Sequence, residues 1–318
     1  MKGITWLLCF ACSSCIAILV NKYVLWKMKF TYPTIFQSWQ MCFASFLLFS
    51  SHILGYMPSK ALNKIIMVSW FPATVLFSLI IYSGSVSLAR LPVPLFAVVQ
   101  QAVLQNMSLL LKIHKNKRNQ HFKSSELFSY LLFLLNGTFL FGTLLTFNQN
   151  IFGFRLKWMV IHCFASCSYS YFAMRHHHLD LKEYDKLLIN SLTSIFLLLT
   201  IGIGTGETTI VFDFPYLYNQ QFMTACMCSG IFGAVVMISY CNLCHEYHLD
   251  KVRYFNTIIM FSVSLLSLMV YKSDEFTAEL LFLILLTFCS TCYTSYFIQQ
   301  MTDIATTTDS EKLITTKV

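Results

Sequence analysis

Charge is scarce in this chain: Asp, Glu, Lys and Arg make up 11% of its 318 residues, well under the roughly 25% of a soluble globular domain. Only 6 prolines and 11 glycines occur, which excludes collagen-like, linker-rich and low-complexity classes. No Walker-type loop, H-E-x-x-H or G-x-S-x-G is present, so the sequence carries no signature of nucleotide hydrolysis, zinc proteolysis or acyl transfer. Carboxylates are also missing from the interiors of the apolar stretches. Proton or sodium coupling would favour them there, so the reading is exchange of one organic solute for another. No enzyme activity, cofactor or metal site is expected.

Apolar side chains are plentiful, at 56% of residues. They fall into ten stretches of about the 20 residues needed to cross a bilayer, near 4–26, 32–54, 65–88, 91–113, 127–147, 151–174, 184–203, 216–244, 252–272 and 278–300. Windows such as Leu131 to Leu135 and Leu280 to Leu286 have no polar face, which excludes a soluble helical core. Lipid leaves no water to satisfy an open strand edge. The fold class is therefore an all-α polytopic membrane protein with ten transmembrane helices. It forms one transmembrane domain over 1–318, with two sets of five spans read around one polar gap, the basic segment Lys112 to Lys123. The pseudo-repeats cover about 1–147 and 151–300, followed by a tail over 301–318. An odd number of spans per half inverts the second half, giving a 5+5 inverted repeat.

Of the 22 Lys and Arg, 15 fall on the amino-terminal side of the membrane and 7 opposite, which places both termini in the cytosol. A net charge of +8 distributed this way is a topology signal and implies no nucleic-acid partner. The first stretch lacks a small-residue cleavage site around Asn21 and Lys22 and is kept as a span. Pro72 lies inside the third span, where a kink is expected.

The 12 cysteines invite a metal or disulfide reading. Cys9, Cys12 and Cys15 sit in an apolar helix without histidine or carboxylate, which reads as small-residue packing. Cys241-Asn242-Leu243-Cys244-His245 matches the haem-attachment pattern, but this end of the helix faces a reducing compartment with no axial partner. His176 to His178 read as a solvated turn. The sequons at Asn106 and Asn136 are buried in spans.

Polar residues inside the membrane remain, and there a functional site is expected. Gln101 and Gln105 share a face of the fourth span, flanked by Gln100 and Asn106. His162 lies mid-way along the sixth span, Asn190 and Ser191 in the seventh, and Asn256 near the start of the ninth. Asn21 and Lys22 close the first span, and Gln37 and Gln40 lie in the second. Together they predict a polar cavity near the midplane. Neutral hydrogen-bonding groups suit a hydroxyl-rich or base-containing ligand.

Particular runs carry a resemblance. Asn21-Lys22-Tyr23-Val24-Leu25, then Phe30-Thr31-Tyr32-Pro33-Thr34 with Gln37, Trp39 and Gln40, resemble the first two spans of nucleotide-sugar transporters of solute carrier family 35. Leu54-Gly55-Tyr56, Leu62-Asn63-Lys64, Trp70-Phe71-Pro72, Ile81-Tyr82-Ser83, Leu91-Pro92-Val93-Pro94, Asp213-Phe214-Pro215 and Ile238-Ser239-Tyr240-Cys241 follow the order of its GDP-mannose transporter branch. The resemblance covers nearly the whole chain. It implies a drug/metabolite-transporter fold in the Golgi membrane, or alternatively the endoplasmic reticulum. The implied activity is antiport of a cytosolic nucleotide sugar, UDP-N-acetylglucosamine or a GDP-sugar, against lumenal nucleoside monophosphate. Partners are then these two solutes and the bilayer, with a homodimer left open. On this footing Asn190, Ser191 and His162 lie near the base, Gln100, Gln101 and Gln105 opposite, and Asn256, Asn21 and Lys22 toward the phosphates.

The family's seventh-span Phe-Tyr-Asn-Asn aligns with Leu188, Ile189, Asn190 and Ser191, so one asparagine survives. The ninth-span Gly-Ala-Leu-Asn-Lys aligns with Ile258, Ile259, Met260, Phe261 and Ser262, and the fourth-span Phe-Lys-Asn with Val99, Gln100 and Gln101. Both family lysines are absent. This leaves a second class open, a paralogue that no longer transports and serves as a membrane scaffold or regulator.

Overall fold

A computed structural model of the chain describes residues 2–56, 63–117, 123–147, 154–176, 179–271 and 277–315. Residues 118–122 of the basic connection, His177, His178 and the Lys317-Val318 end lie outside them.

Among the described residues, ten helices run 21 to 38 residues. They are α1 (Lys2–Lys22), α2 (Pro33–Ile53), α3 (Lys64–Arg90), α4 (Val93–Lys117), α5 (Lys123–Phe147), α6 (Phe154–Arg175), α7 (Glu183–Thr205), α8 (Gln220–Glu246), α9 (Leu249–Val270) and α10 (Ala278–Thr315). By length and composition 8 of them are apolar enough to cross a membrane. The exceptions are α2, interrupted by Gln37 and Gln40, and α6, which carries Lys157, His162 and a run of serines. The chain is an all-α multi-pass membrane protein. The basic segment proves to lie between α4 and α5. Four of the ten long helices, not five, precede its middle, and Lys112 to Lys117 continue α4 as a helix.

Helix ends follow local chemistry. Pro33 opens α2 at its first position, where a missing N–H costs nothing. Asn63 caps α3 by accepting from the Ile65 N–H at 3.0 Å, as an N-cap side chain should. The Asp185 carboxylate accepts from the Lys182 N–H at the start of α7, and Gly206, at φ 77°, ends it. The helix α3 runs on through Pro72. A π-helical turn, Tyr23–Lys27, prolongs α1, a feature the apolar pattern does not reveal.

Two compact units are present. The first comprises Met1–Phe96 with Phe152–Glu246, the second Ala97–Ile151 with Tyr247–Val318. In the first, α1 packs on α8, α3 on α6, α2 on α7 and α8, and α3 on α7. In the second, α10 packs on α5 and on α9. Advancing every helix number by five, modulo ten, turns α1·α8 into α6·α3 and α2·α8 into α7·α3, and returns α2·α7 and α5·α10 to themselves; α9·α10 has no such closely packed counterpart among the described residues.

Burial is reversed relative to a soluble protein. Phe196 and Met269 are 72% and 79% exposed, whereas Ser78, Thr143, Asn136, Thr257 and Thr294 are buried. Lipid tails are as apolar as leucine, so hydrophobicity does not drive helices together; packing and polar pairing do. Asn136 shows the pattern, donating to Asn106 and accepting from Ser290 and Thr291 at 3.0, 3.0 and 3.1 Å. Close approach is bought at Gly230, where a Cβ would lie 2.6 Å from the Phe43 ring.

Gly230→Ala is expected to destabilise the protein by about 1–3 kcal/mol through overpacking. Gly233, with nothing within 4 Å of a Cβ, serves as control. Thermal unfolding in detergent should show a lower Tm for Gly230→Ala and an unchanged one for Gly233→Ala.

Candidate substrate-binding site

Asn190 is the centre of a buried polar network in the first unit. Its Oδ1 accepts from the Trp70 indole N–H and the Thr74 hydroxyl, both at 3.1 Å, and its Nδ2 donates to the Tyr169 hydroxyl at 3.0 Å. One side chain of α7 thus ties together α3 and α6. Four residues on from Thr74 and Asn190, Ser78 and Ser194 pair at 2.8 Å, since positions four apart share a helix face. Trp70 stands edge-on to Tyr169 and Phe172, at 6.3 and 5.9 Å between centroids. Ser191 donates to the Leu188 carbonyl of its own helix.

His162 lies against α3. Its Nδ1 is 3.0 Å from the Ile80 carbonyl, and Gly84 makes room, since a Cβ there would be 3.1 Å from the imidazole. The buried Nε2 of His162 has no hydrogen-bond partner. At the end of α1, Asn21 Oδ1 accepts from Gln40 and Ser229 at 2.9 and 2.7 Å, and Gln37 donates to Ser85. Lys22 is 5% exposed and donates to the Leu88 and Leu91 carbonyls at 2.8 and 2.9 Å. Its ammonium faces the carboxyl end of α3, where the helix dipole favours a cation.

The second unit gathers the glutamines of α4. Gln105 donates to Thr257 at 3.1 Å, and Thr257 donates to Gln101 Oε1 at 3.3 Å. Gln101 Nε2 is buried without a partner. Gln100 and Asn256 are half-buried. At one end of this unit Lys112 pairs with Asp250 at 2.7 Å, and Arg253 reaches Asp250 and Ser108 at 3.4 and 3.3 Å. Lys251 lies over the Tyr247 ring at 4.9 Å.

The predicted residues therefore form separate sets: Asn190, Ser191, His162, Asn21 and Lys22 in one unit, and Gln100, Gln101, Gln105 and Asn256 in the other. Within the first, Asn190 and His162 bond to different stretches of α3, and Asn21 and Lys22 to different helices.

Comparison with known proteins identifies the setting. The chain is 32% identical over 235 residues to the UDP-N-acetylglucosamine transporter TMEM241 homolog of Xenopus laevis, covering 73% of this chain and 76% of that one. It is 33% identical over 243 residues to the mouse UDP-N-acetylglucosamine transporter TMEM241, covering 75% and 77%. The chain belongs to the nucleotide-sugar transporter family. The GDP-mannose transporter of Kluyveromyces lactis is more distant, at 25% identity over 242 residues, 72% of this chain and 70% of that one. No family model matches the chain. Membership of a transporter family agrees with the absence of hydrolytic and group-transfer motifs from the sequence.

In this nucleotide-sugar transporter homologue, four polar positions that sequence reasoning passed over hold the predicted residues in place: Trp70, Thr74, Tyr169 and Thr257. A signal for the first two existed. Trp70, Thr74 and Ser78 recur every four residues on α3, matching Asn190 and Ser194 on α7. Tyr169 and Thr257 carry no comparable mark, because single hydroxyls are common in membrane helices.

Removing Asn190 strands three donors and acceptors at once. At about 0.6 kcal/mol per interhelical hydrogen bond, Asn190→Ala should lower stability by roughly 2 kcal/mol. Trp70→Phe should cost about one such bond, and a double-mutant cycle in denaturant unfolding should return a coupling near that value. Additive effects would remove Asn190 from the centre of the network.

Proposed function

We propose that the protein carries a nucleotide sugar across an intracellular membrane by alternating access, with UDP-N-acetylglucosamine as the favoured cargo and nucleoside monophosphate returning in exchange. The carrying observation is the likeness to two relatives named as UDP-N-acetylglucosamine transporters; beside it stand two buried nitrogens without a hydrogen-bond partner, His162 Nε2 in the first unit and Gln101 Nε2 in the second, among several such buried polar atoms. Leaving a buried polar group unpaired costs about 1–3 kcal/mol, in an interior where Asn190, Asn136 and Thr257 are fully paired. Such atoms are natural ligand contacts. Neither side chain carries a fixed charge, which suits the base and hydroxyls of a nucleotide sugar.

The transport cycle is supported by the exchange of helix pairs under a shift of five. Such exchange is what ten spans arranged as a 5+5 inverted repeat produce. The cargo is supported by the names of the relatives at 32% and 33% identity, against 25% for the GDP-mannose transporter, and by the absence of the Gly-Ala-Leu-Asn-Lys run. A distribution of 15 Lys and Arg against 7 supports a topology with both termini in the cytosol. Golgi location follows the family resemblance, with the endoplasmic reticulum as the alternative. One transmembrane domain spans the chain, and a homodimer is compatible with it.

Proteoliposomes preloaded with UMP, GMP or buffer should take up labelled UDP-N-acetylglucosamine only with UMP inside. GDP-mannose uptake driven by GMP would replace the cargo, and failure of all sugars with folded protein would favour a non-transporting scaffold. Gln101→Leu and His162→Phe should each reduce uptake about tenfold, the scale of one lost hydrogen bond, while lowering stability by no more than the one protein bond each gives up, to Thr257 and to the Ile80 carbonyl, about 0.6 kcal/mol. Full uptake in both would remove these atoms from the site.

A further inference from the structure

A second polar feature lies within the first unit, away from the Asn190 network and unused by the reading above. A cavity of about 200 Å³ is lined by Thr31, Tyr82, Ser85, Arg90, Trp158 and Glu207, with apolar neighbours. It sits where α3 ends, α6 begins and the segment after α7 folds back toward α2. Gly206, at φ 77°, makes that reversal and delivers Glu207. One carboxylate oxygen of Glu207, Oε2, accepts from the Thr34 N–H at 3.0 Å and from the Thr34 hydroxyl, capping the start of α2. The other oxygen makes no hydrogen bond among the described residues. Gly202 permits this closeness, since a Cβ there would stand 2.8 Å from Thr34 Oγ1.

The walls select a ligand class. Tyr82 and Trp158 meet at 5.4 Å and 75°, offering one ring face and one ring edge, not two parallel faces for a flat base. Arg90 and Glu207 carry opposite charges, so the cavity has no net charge to hold a phosphate, and a phosphate would meet the carboxylate. A guanidinium donates and a carboxylate accepts, together matching hydroxyls that do both. Apolar ring surface with a few fixed polar groups is the usual composition of a small-molecule site. Volume narrows it further. Pockets for drug-sized ligands begin near 300 Å³, whereas a cavity of roughly 150 Å³ accepts a single benzene ring. One six-membered ring fits here and a whole nucleotide does not.

We propose that this cavity is a pyranose-binding pocket, in which an aromatic wall formed by Trp158 and Tyr82 takes the apolar face of a sugar ring and Glu207 with Arg90 take its hydroxyls. Its use by the sugar end of the cargo rests on the transport reading; binding of a sugar ring does not.

Fluorotryptophan-labelled protein tests this by fluorine NMR. The chain has 5 tryptophans, and Trp158→Phe assigns the relevant resonance. Free N-acetylglucosamine and free glucose are the probes, with UMP as comparison. The Trp158 resonance should move saturably with at least one sugar and stay still with UMP. Glu207→Gln keeps an oxygen for Thr34 but removes the charged acceptor, and should weaken the sugar response roughly tenfold, the scale of a charged hydrogen bond. If that variant moves the other tryptophan resonances, Tyr82→Phe, which keeps the ring and removes one hydroxyl, decides by the same weakening. No response to either sugar, a response to UMP alone, or full response in the deciding variant would overturn the proposal. A sugar response without nucleotide-sugar uptake would sink the transport reading and leave the pocket, and uptake without a sugar response would do the reverse.

Discussion

A membrane interior contains no water, and every polar atom that leaves the surface must find its partner inside the protein. The helices meet that constraint for the backbone by construction. Side chains meet it by pairing across helices, and the pairs set which helices touch. Asn190 holds α7 to α3 and α6; Asn136 holds α5 to α4 and α10; Thr257 holds α9 to α4. Each bond is worth only about 0.6 kcal/mol. Without them, however, apolar surfaces that lipid solvates equally well would have little to choose one register over another.

The same constraint separates residues that build from residues that bind. Asn190, Asn21 and Gln105 are spent on protein partners, and Lys22 on the carbonyls at the end of α3. His162 and Gln101 each keep one buried nitrogen unused. Several of the described charges are anchored as well. Lys112 and Arg253 engage Asp250, and Glu207 caps α2.

Glycine supplies the other half of the packing. Gly84 admits His162 against α3, Gly202 admits Thr34, and Gly230 admits Phe43. In each case the neighbour occupies the space a side chain would need, and the gain is close approach between helices that lipid does not press together.

A many-spanning helical chain was legible in the sequence because a bilayer of fixed thickness demands about 20 apolar residues per crossing; most observed helices start and stop within a few residues of the expected stretches, the last running on to Thr315, and 8 are apolar enough to cross. Local capping residues, Pro33 and Gly206 among them, mark several ends directly. The basic run Lys112 to Lys123 was read as having five helices before it and has four, its first part belonging to α4, because a basic run signals a connection or a helix end without saying which. The π-turn after Lys22, the inward course of that lysine and the meeting of Glu207 with Thr34 were not legible at all. They depend on partners 66 to 173 residues away, and nothing in a one-dimensional pattern of apolar runs encodes which polar side chain will be used up by a neighbour and which will be left for a ligand. The sequence alone determined a many-spanning helical protein with neutral polar groups within its helices; tertiary packing decided which of those groups hold helices together, because a hydrogen bond has direction and short reach whereas hydrophobicity has neither.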